Sequence, residues 1–279
     1  MKLHNYIDKL PISGEVGIEI EFEGQHLPRE EDDYQSLYWM ETDEGSLRGP
    51  ENRELITKRP YLRKIVHVIL KDLYSILTCP GTIIHNSDRA SIHIHLNVSE
   101  DEVIHIFNTI FIYLIFEDML IKYAGEERED NLFCVTATNA DTILNRIEKA
   151  VRKQELLVLG TDELRYASIN LKAMIEKMSL EFRALRGTVD LAVVARWIKI
   201  LTLIQDYGRR IATPREILEK FSESGPEQFF REVFGDDFED LKYRNWTLDC
   251  YRSLRHIQML LYLPEWQDFL ELIEPLNDV

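Results

Sequence analysis

The sequence predicts an α+β fold: an antiparallel or mixed sheet with helices on one side, followed by a helical C-terminal region. Through roughly the first two hundred residues, strand-like segments with period-two alternation interleave with helix-length apolar segments, without a regular βαβ rhythm. The segment near Val189–Tyr207 is apolar over most of a helical circumference, which predicts a helix buried across one face of the sheet. From about Ile211 onward the strand pattern stops. These features predict a main unit over 1–210 and a helical region over 211–279 packed on it.

Strands are expected at Val16–Glu23, Leu37–Thr42, Arg53–Lys58, Ala90–Val98, Tyr166–Leu171 and Ser179–Leu185. Helices are expected at Pro60–Leu77, Glu100–Lys122, Thr142–Leu159 and Val189–Arg209. Ser99 and Glu102 have the spacing of a capping box ahead of the second helix, and Gly160 marks the expected end of the third. Thr213-Pro214-Arg215-Glu216 is a strong helix start, with further helices at Pro226–Val233, Trp246–Leu261 and Glu265–Ile273. Gly24–Ser36, carrying Glu30-Glu31-Asp32-Asp33, reads as an exposed acidic loop.

Composition narrows the function. The 279 residues are 45% hydrophobic and 29% charged, which is ordinary globular usage, and the net charge is −16. The segment from Ile211 carries 15 acidic against 7 basic residues, a net −8 and half of that total. Such acidity disfavours broad contact with nucleic acid or anionic membrane surfaces. Cys79, Cys134 and Cys250 form no CxxC pair, and the first residues lack the pattern of a signal peptide. The apolar stretch around Ile104–Ile121 is interrupted by His105, Asn108, Glu117 and Asp118, and its longest unbroken run, Ile110–Phe116, is too short to span a bilayer. A cytoplasmic setting is expected, that of a host cell if the chain is phage-encoded.

Three strands carry polar faces of unusual chemistry. In Val16–Glu23, Glu19, Glu21 and Glu23 alternate with Ile18, Ile20 and Phe22. Carboxylates about 6.7 Å apart repel by about 2.5 kcal/mol at an effective dielectric near 20. A solvated face would tolerate this, and a divalent cation would relieve it. In the fourth strand His93 and His95 alternate with Ile92, Ile94 and Leu96. In the last, Glu181 and Arg183 alternate with Leu180, Phe182 and Ala184. If the apolar faces share one core, the polar faces share one surface. Three carboxylates with histidine favour Mg²⁺ or Mn²⁺ over structural zinc. No P-loop, Rossmann glycine pattern or GxSxG elbow is present. Arg186-Gly187-Thr188, ahead of the buried helix, has the form of an anion nest.

With those residues in place, the chain resembles carboxylate–amine ligases of the glutamine synthetase and glutamate–cysteine ligase fold. Within them it is most similar to the small amidoligase branch of phages, bacteria and some fungi. The resemblance rests on Gly17-Ile18-Glu19-Ile20-Glu21-Phe22, Trp39 with Asp43-Glu44-Gly45-Ser46-Leu47, Glu54-Leu55-Ile56-Thr57, and His93-Ile94-His95. It continues through Arg165-Tyr166 with Asn170, and Glu181-Phe182-Arg183 with Gly187-Thr188, in the family's order from about Gly14 to Tyr207. It implies a curved antiparallel half-funnel with helices on its convex side. It also implies two or more Mg²⁺ or Mn²⁺ ions, one held by Glu19, His93 and Glu181, another by Glu21 and Glu54 with Asp43 or Glu51 nearby. Arg183 would stabilise a transferred phosphoryl group, with Arg165, His95, Asn170 and Arg186 toward the nucleotide, and Glu54 and Asp43 in catalytic positions. The implied reaction uses ATP to turn a carboxylate into an acyl phosphate, which an amine converts to an amide. The carboxylate and amine could belong to small molecules or protein side chains, and oligomeric state is open. Arg89-Ala90-Ser91 departs from the glycine-containing run usual before the family's HxH. A metal-dependent hydrolase and a catalytically silent binding descendant are the alternatives.

Overall fold

The computed structural model describes residues 1–30, 33–42, 47, 51–85, 87–132, 134–137 and 142–273. Strands β1 (Val16–Gln25), β2 (Trp39–Thr42), β3 (Glu51–Thr57), β4 (Ile83–His85), β5 (Ser91–Asn97), β6 (Ile169–Asn170) and β7 (Ser179–Arg186) form one sheet. Its order is β2-β3-β1-β5-β7-β6, with β4 also paired to β1, and every pairing is antiparallel. The helices are α1 (Leu3–Tyr6), α2 (Val66–Leu77), α3 (Val103–Ala124), α4 (Thr142–Lys153), α5 (Lys172–Lys177), α6 (Leu191–Gly208), α7 (Pro214–Phe234), α8 (Trp246–Leu261) and α9 (Glu265–Ile273). The fold is therefore α+β with an antiparallel sheet.

The alternation of β1 decides which way it faces. Ile18, Ile20 and Phe22 enter the core beside Ile92, Ile94 and Leu96 of β5 and Leu180 and Phe182 of β7. Helices α3 and α6 pack against this layer through β7 and β5, and Tyr113 of α3 meets Phe182 edge-on at 5.0 Å. The expectation of a deeply buried helix over Val189–Tyr207 is met by α6, yet α3 is the more central. Seventeen of its 22 residues are buried, because α6, α7, α8 and α9 surround the side turned from the sheet. Among the described residues α3 is also long and apolar enough to cross a bilayer by length and composition, and 83% of its apolar window is buried inside the fold. The interruptions at His105, Asn108, Glu117 and Asp118 do not lower its mean hydropathy below that limit.

The helices after residue 211 pack on α3, α4 and α6 and share their hydrophobic core. Thr213 caps α7, its hydroxyl accepting from Glu216 N, and Gly225 at φ 73° bends the helix where Pro226 follows.

Several boundaries differ from expectation for local reasons. The capping box does not form: Glu102 is the N-cap of α3 without a side-chain cap, while Ser99 Oγ accepts from Ile12 N. α4 ends at Lys153, and Gln154 at φ 54° separates it from the 3₁₀ turn Leu156–Leu159 before Gly160. Helical structure ahead of Leu77 begins with a 3₁₀ turn at Arg63–Ile65 rather than at Pro60. The strand expected over Tyr166–Leu171 shortens to the two residues of β6.

Candidate functional site

The register of β1, β5 and β7 turns three weak sequence signals into one cluster. Glu19 lies opposite His93 and Gly17 opposite His95 across β1–β5; His95 lies opposite Glu181 across β5–β7. All occupy the face turned from α3 and α6. Glu21, His93 and Glu181 are nevertheless only 4%, 2% and 4% exposed. Acidic and basic groups so withdrawn from water must satisfy one another.

A β-bulge sets the position of Arg183. Ile92 pairs with Leu185 but Ile94 pairs with Phe182, so His93 alone faces both Arg183 and Ala184. Behind the bulge, buried Arg128 donates from Nη2 to the Arg183 carbonyl at 2.8 Å and from Nε to the Ala184 carbonyl at 3.1 Å. Arg183 N in turn donates to the Ser168 carbonyl at 2.8 Å. On the site face the Arg183 guanidinium donates to Glu181 Oε1 and stands 3.5 Å from His93 Nδ1.

The other contacts fix each carboxylate. Glu181 Oε2 accepts from Asn170 Nδ2 at 2.7 Å, and Glu21 Oε2 accepts from Ser91 N at 3.0 Å and Ser91 Oγ at 2.7 Å. His93 has both ring nitrogens engaged, Nε2 with Ser91 Oγ at 2.8 Å and Nδ1 with Glu19 Oε2 at 3.1 Å. His95 is bound through Nδ1 to Ser179 Oγ at 3.1 Å. Burial pushes the Glu19 carboxyl up, but His95 and His93 outweigh it and hold the group well below the usual carboxylate range. Burial likewise raises Glu181, and His95, His93 and Arg183 bring it below its ordinary value.

Buried His95 Nε2 has no hydrogen-bond partner, although Glu19 Oε1 is 2.9 Å away. Adjacent ligands of an octahedral Mg²⁺ at about 2.1 Å would be about 3 Å apart, so the spacing fits a hard divalent cation. Glu19, His95 and Glu181 offer ligand atoms all within 4.8 Å of one another. The donor set of two carboxylates and an imidazole fits Mg²⁺ or Mn²⁺. The group whose ligand atoms lie together contains His95, where the resemblance implies His93 for metal and His95 for nucleotide. His93 has both ring nitrogens engaged and stands 3.1 Å from Glu19 Oε2 and 3.6 Å from Glu181 Oε1.

Other expected residues are placed as follows. Glu54 lies directly across β1–β3 from Glu21, on the same face. Glu51 is opposite Gly24 and three residues from Glu54, which turns it to the other face, and its Oε2 accepts from Leu27 N. Asp43 falls outside the described residues, as do Glu31 and Asp32 of the acidic loop. Arg165 is exposed, its guanidinium 5.8 Å from the Tyr166 ring. Arg186 donates to the Ala124 carbonyl and pairs with Glu127, away from the cluster. In the expected anion nest Gly187 N donates to the Ala90 carbonyl, and beyond it Asp190 caps α6 by accepting from Ala192 N and Val193 N.

Lys177 was not singled out in the sequence, yet its ammonium donates to Glu19 Oε1 at 3.2 Å. Burial works against its charge, and Glu19, Glu181 and Glu54 overcome that and raise its pKa. It ends α5, and Met178 in the left-handed region turns the chain into β7. No side-chain period marks such a position. Ser91 holds Glu21 and Ser179 holds His95, roles that no local pattern marks.

The fold and site define an α+β protein with a carboxylate–histidine cluster suited to a divalent cation. A family model described as "putative amidoligase enzyme" matches residues 60–205, just over half of the chain, and the protein belongs to this amidoligase family. Membership places it among ligase-type enzymes. The matched segment contains His93, His95, Asn170, Glu181 and Arg183, while Glu19, Glu21 and Glu54 precede it and reach the site through strand pairing. No curated protein matches the chain.

Proposed function

We propose that the protein is an ATP-dependent carboxylate–amine ligase that makes an amide through an acyl phosphate. The observation that carries this reading is the closeness of Glu19, His95 and Glu181, whose ligand atoms all lie within 4.8 Å of one another, with Arg183 against Glu181, in a chain of the amidoligase family. Glu19, His95 and Glu181 would hold one divalent cation, and Glu21 with Glu54 a second. When bound, such cations neutralise and align the phosphates of ATP. This reading takes the sheet as that of a glutamine synthetase-like half-funnel, with residues 1–210 as the catalytic unit.

The chemistry assigns the remaining groups. A carboxylate oxygen attacks the γ-phosphorus of ATP; the new O–P bond forms as the bond to ADP breaks. Arg183, fixed by the bulge and by Glu181, offers N–H donors to the charge developing on the transferred group. An amine then attacks the acyl carbon, phosphate leaves with the bonding electrons, and the amine loses a proton. Asn170 holds Glu181, and His93 holds Glu19, so neither carboxylate needs to reorganise.

The test is ADP and phosphate release with Mg²⁺ or Mn²⁺ against pooled carboxylates and amines. Release that requires both partners supports the ligase. Hydrolysis of an ester or amide without ATP would replace this reading with a metal-dependent hydrolase.

A further inference from the structure

We propose that the cavity at the Gly17 end of the cluster binds the carboxylate substrate, and that this substrate is an aliphatic diacid lacking an α-amino group. The proposal rests on the ligase reading for which carboxylate reacts; the shape and charge of the cavity carry the rest. The cavity measures about 330 Å³, and Glu19 and His95 are part of its lining. That volume is at the lower end of small-molecule sites, enough for a compact acid.

Its room comes from a missing side chain. Gly17 lies two residues before Glu19 on β1, so both face the site, and it is directly opposite His95. A Cβ at Gly17 would stand 3.4 Å from His95 Cβ, and any longer side chain would continue into the cavity. Ile12, Ile56 and Pro60 supply aliphatic walls, Ile56 being directly across from Glu19. Arg183 and Ser91 are not in the lining, so the cavity adjoins the expected phosphoryl position from the Gly17 side, with Glu19 and His93 between it and Arg183.

The polar groups of the lining select the ligand. Asn97 is engaged with Ile12 and Gly14 carbonyls and Ser99 N, Ser179 with His95, and Lys177 with Glu19. Arg59 is different: it lies 5.3 Å from the Tyr61 ring and forms no ion pair among the described residues. A guanidinium beside aliphatic walls is a seat for a second carboxylate, which it can take in a two-point hydrogen bond. Among the described lining residues no Phe, Tyr or Trp ring is present, the one ring is the His95 imidazole held by Ser179, and Glu19 is the carboxylate. With Glu19 committed to the cluster, an α-ammonium would enter without an anion to receive it. The reacting carboxylate thus lies at Glu19 and His95, methylenes along Ile12, Ile56 and Pro60, and the distal carboxylate at Arg59.

The test is calorimetric titration of the full chain with Mn²⁺ and a non-hydrolysable ATP analogue, then with succinate, glutarate and adipate. Each diacid is compared with its monoacid and with its α-amino counterpart. At least one diacid is expected to bind about tenfold tighter than both comparators. Arg59→Gln should erase the preference over the monoacid, and Gly17→Leu should weaken the diacid by at least about tenfold, both retaining binding of the analogue. Arg59 is exposed, so its variant decides the matter if Gly17→Leu does not fold. Absence of diacid binding, a tighter α-amino counterpart, or an unchanged preference in Arg59→Gln overturns the proposal. Diacid binding without any analogue binding would keep the cavity assignment and sink the ligase reading instead.

Discussion

Arg128 and Arg183 are linked through the backbone: the buried guanidinium of the first holds the carbonyl of the second at 2.8 Å, and that of Ala184 at 3.1 Å. A positive charge from the core side thereby fixes the bulge that aims another at the site. Arg128→Met keeps bulk but leaves two carbonyls without their donor. Each such loss costs about 1–3 kcal/mol, partly offset by removing a buried charge. Urea denaturation is expected to show a net loss of about 1–4 kcal/mol. Unchanged stability would mean that the bulge keeps its shape unaided.

The two histidines should separate cleanly. His95→Ala removes the ring nitrogen that stands 2.9 Å from Glu19 Oε1 and is expected to abolish Mn²⁺ binding, read by electron paramagnetic resonance. His93→Gln disturbs the orientation of Glu19 and should weaken Mn²⁺ by about 10–100-fold, as changes behind a ligand do. A larger loss in His93→Gln than in His95→Ala would reverse the assignment.

Arg183→Ala should spare Mn²⁺ affinity while slowing phosphoryl transfer by about 10²–10³-fold, the usual effect of losing one donor to developing charge. Single-turnover ADP formation, measured beside metal binding, separates the two effects. A variant with wild-type turnover would remove Arg183 from the chemistry.

Glu117 makes stability depend on pH. It is fully buried in α3, accepts from Ser168 Oγ and Ala137 N, and burial pushes its pKa up from 4.5 to about 8 against those hydrogen bonds. Between these values the folded chain keeps a proton that the unfolded chain has lost. Stability therefore falls as pH rises from about 4.5 to about 8 and levels off above, by up to about 1.4 kcal/mol per pH unit. Glu117→Gln retains an acceptor for Ala137 and should flatten that slope. Urea midpoints at three pH values check it, and identical slopes in both proteins would show that Glu117 is ionised in the fold.

The central strands and their chemistry were legible because period-two alternation is local: Glu19, Glu21, His93 and Glu181 could be put on faces without knowing their neighbours. What joined them was not local. The choice between His93 and His95 depends on Ser91 and Ser179, which satisfy specific ring nitrogens only once β1, β5 and β7 are in register. The Arg183 bulge is a mismatch between two strands and has no signature on either one. Lys177 arrives from a six-residue helix too short for a periodic pattern, and β4 has only three residues. Expectations for helix starts failed where a side chain found another partner, as Ser99 did in Ile12.

The position of α3 sets a schedule for synthesis. Phe107 meets Trp266 at 5.7 Å and Phe116 stacks on Phe229 at 5.7 Å, so its outer aromatic face is covered by residues made much later. About 150 residues separate Ala124 from Ile273, the ends of α3 and α9. At about 5–20 residues per second, translation needs roughly 7–30 s to supply that cover. Through that interval the nascent chain carries a helix apolar enough for a bilayer with no finished core to hide it. The cluster on β1, β5 and β7 can be complete in sequence while its supporting helix is still sticky. A stalled or shortened message would therefore yield an aggregating fragment rather than a smaller enzyme.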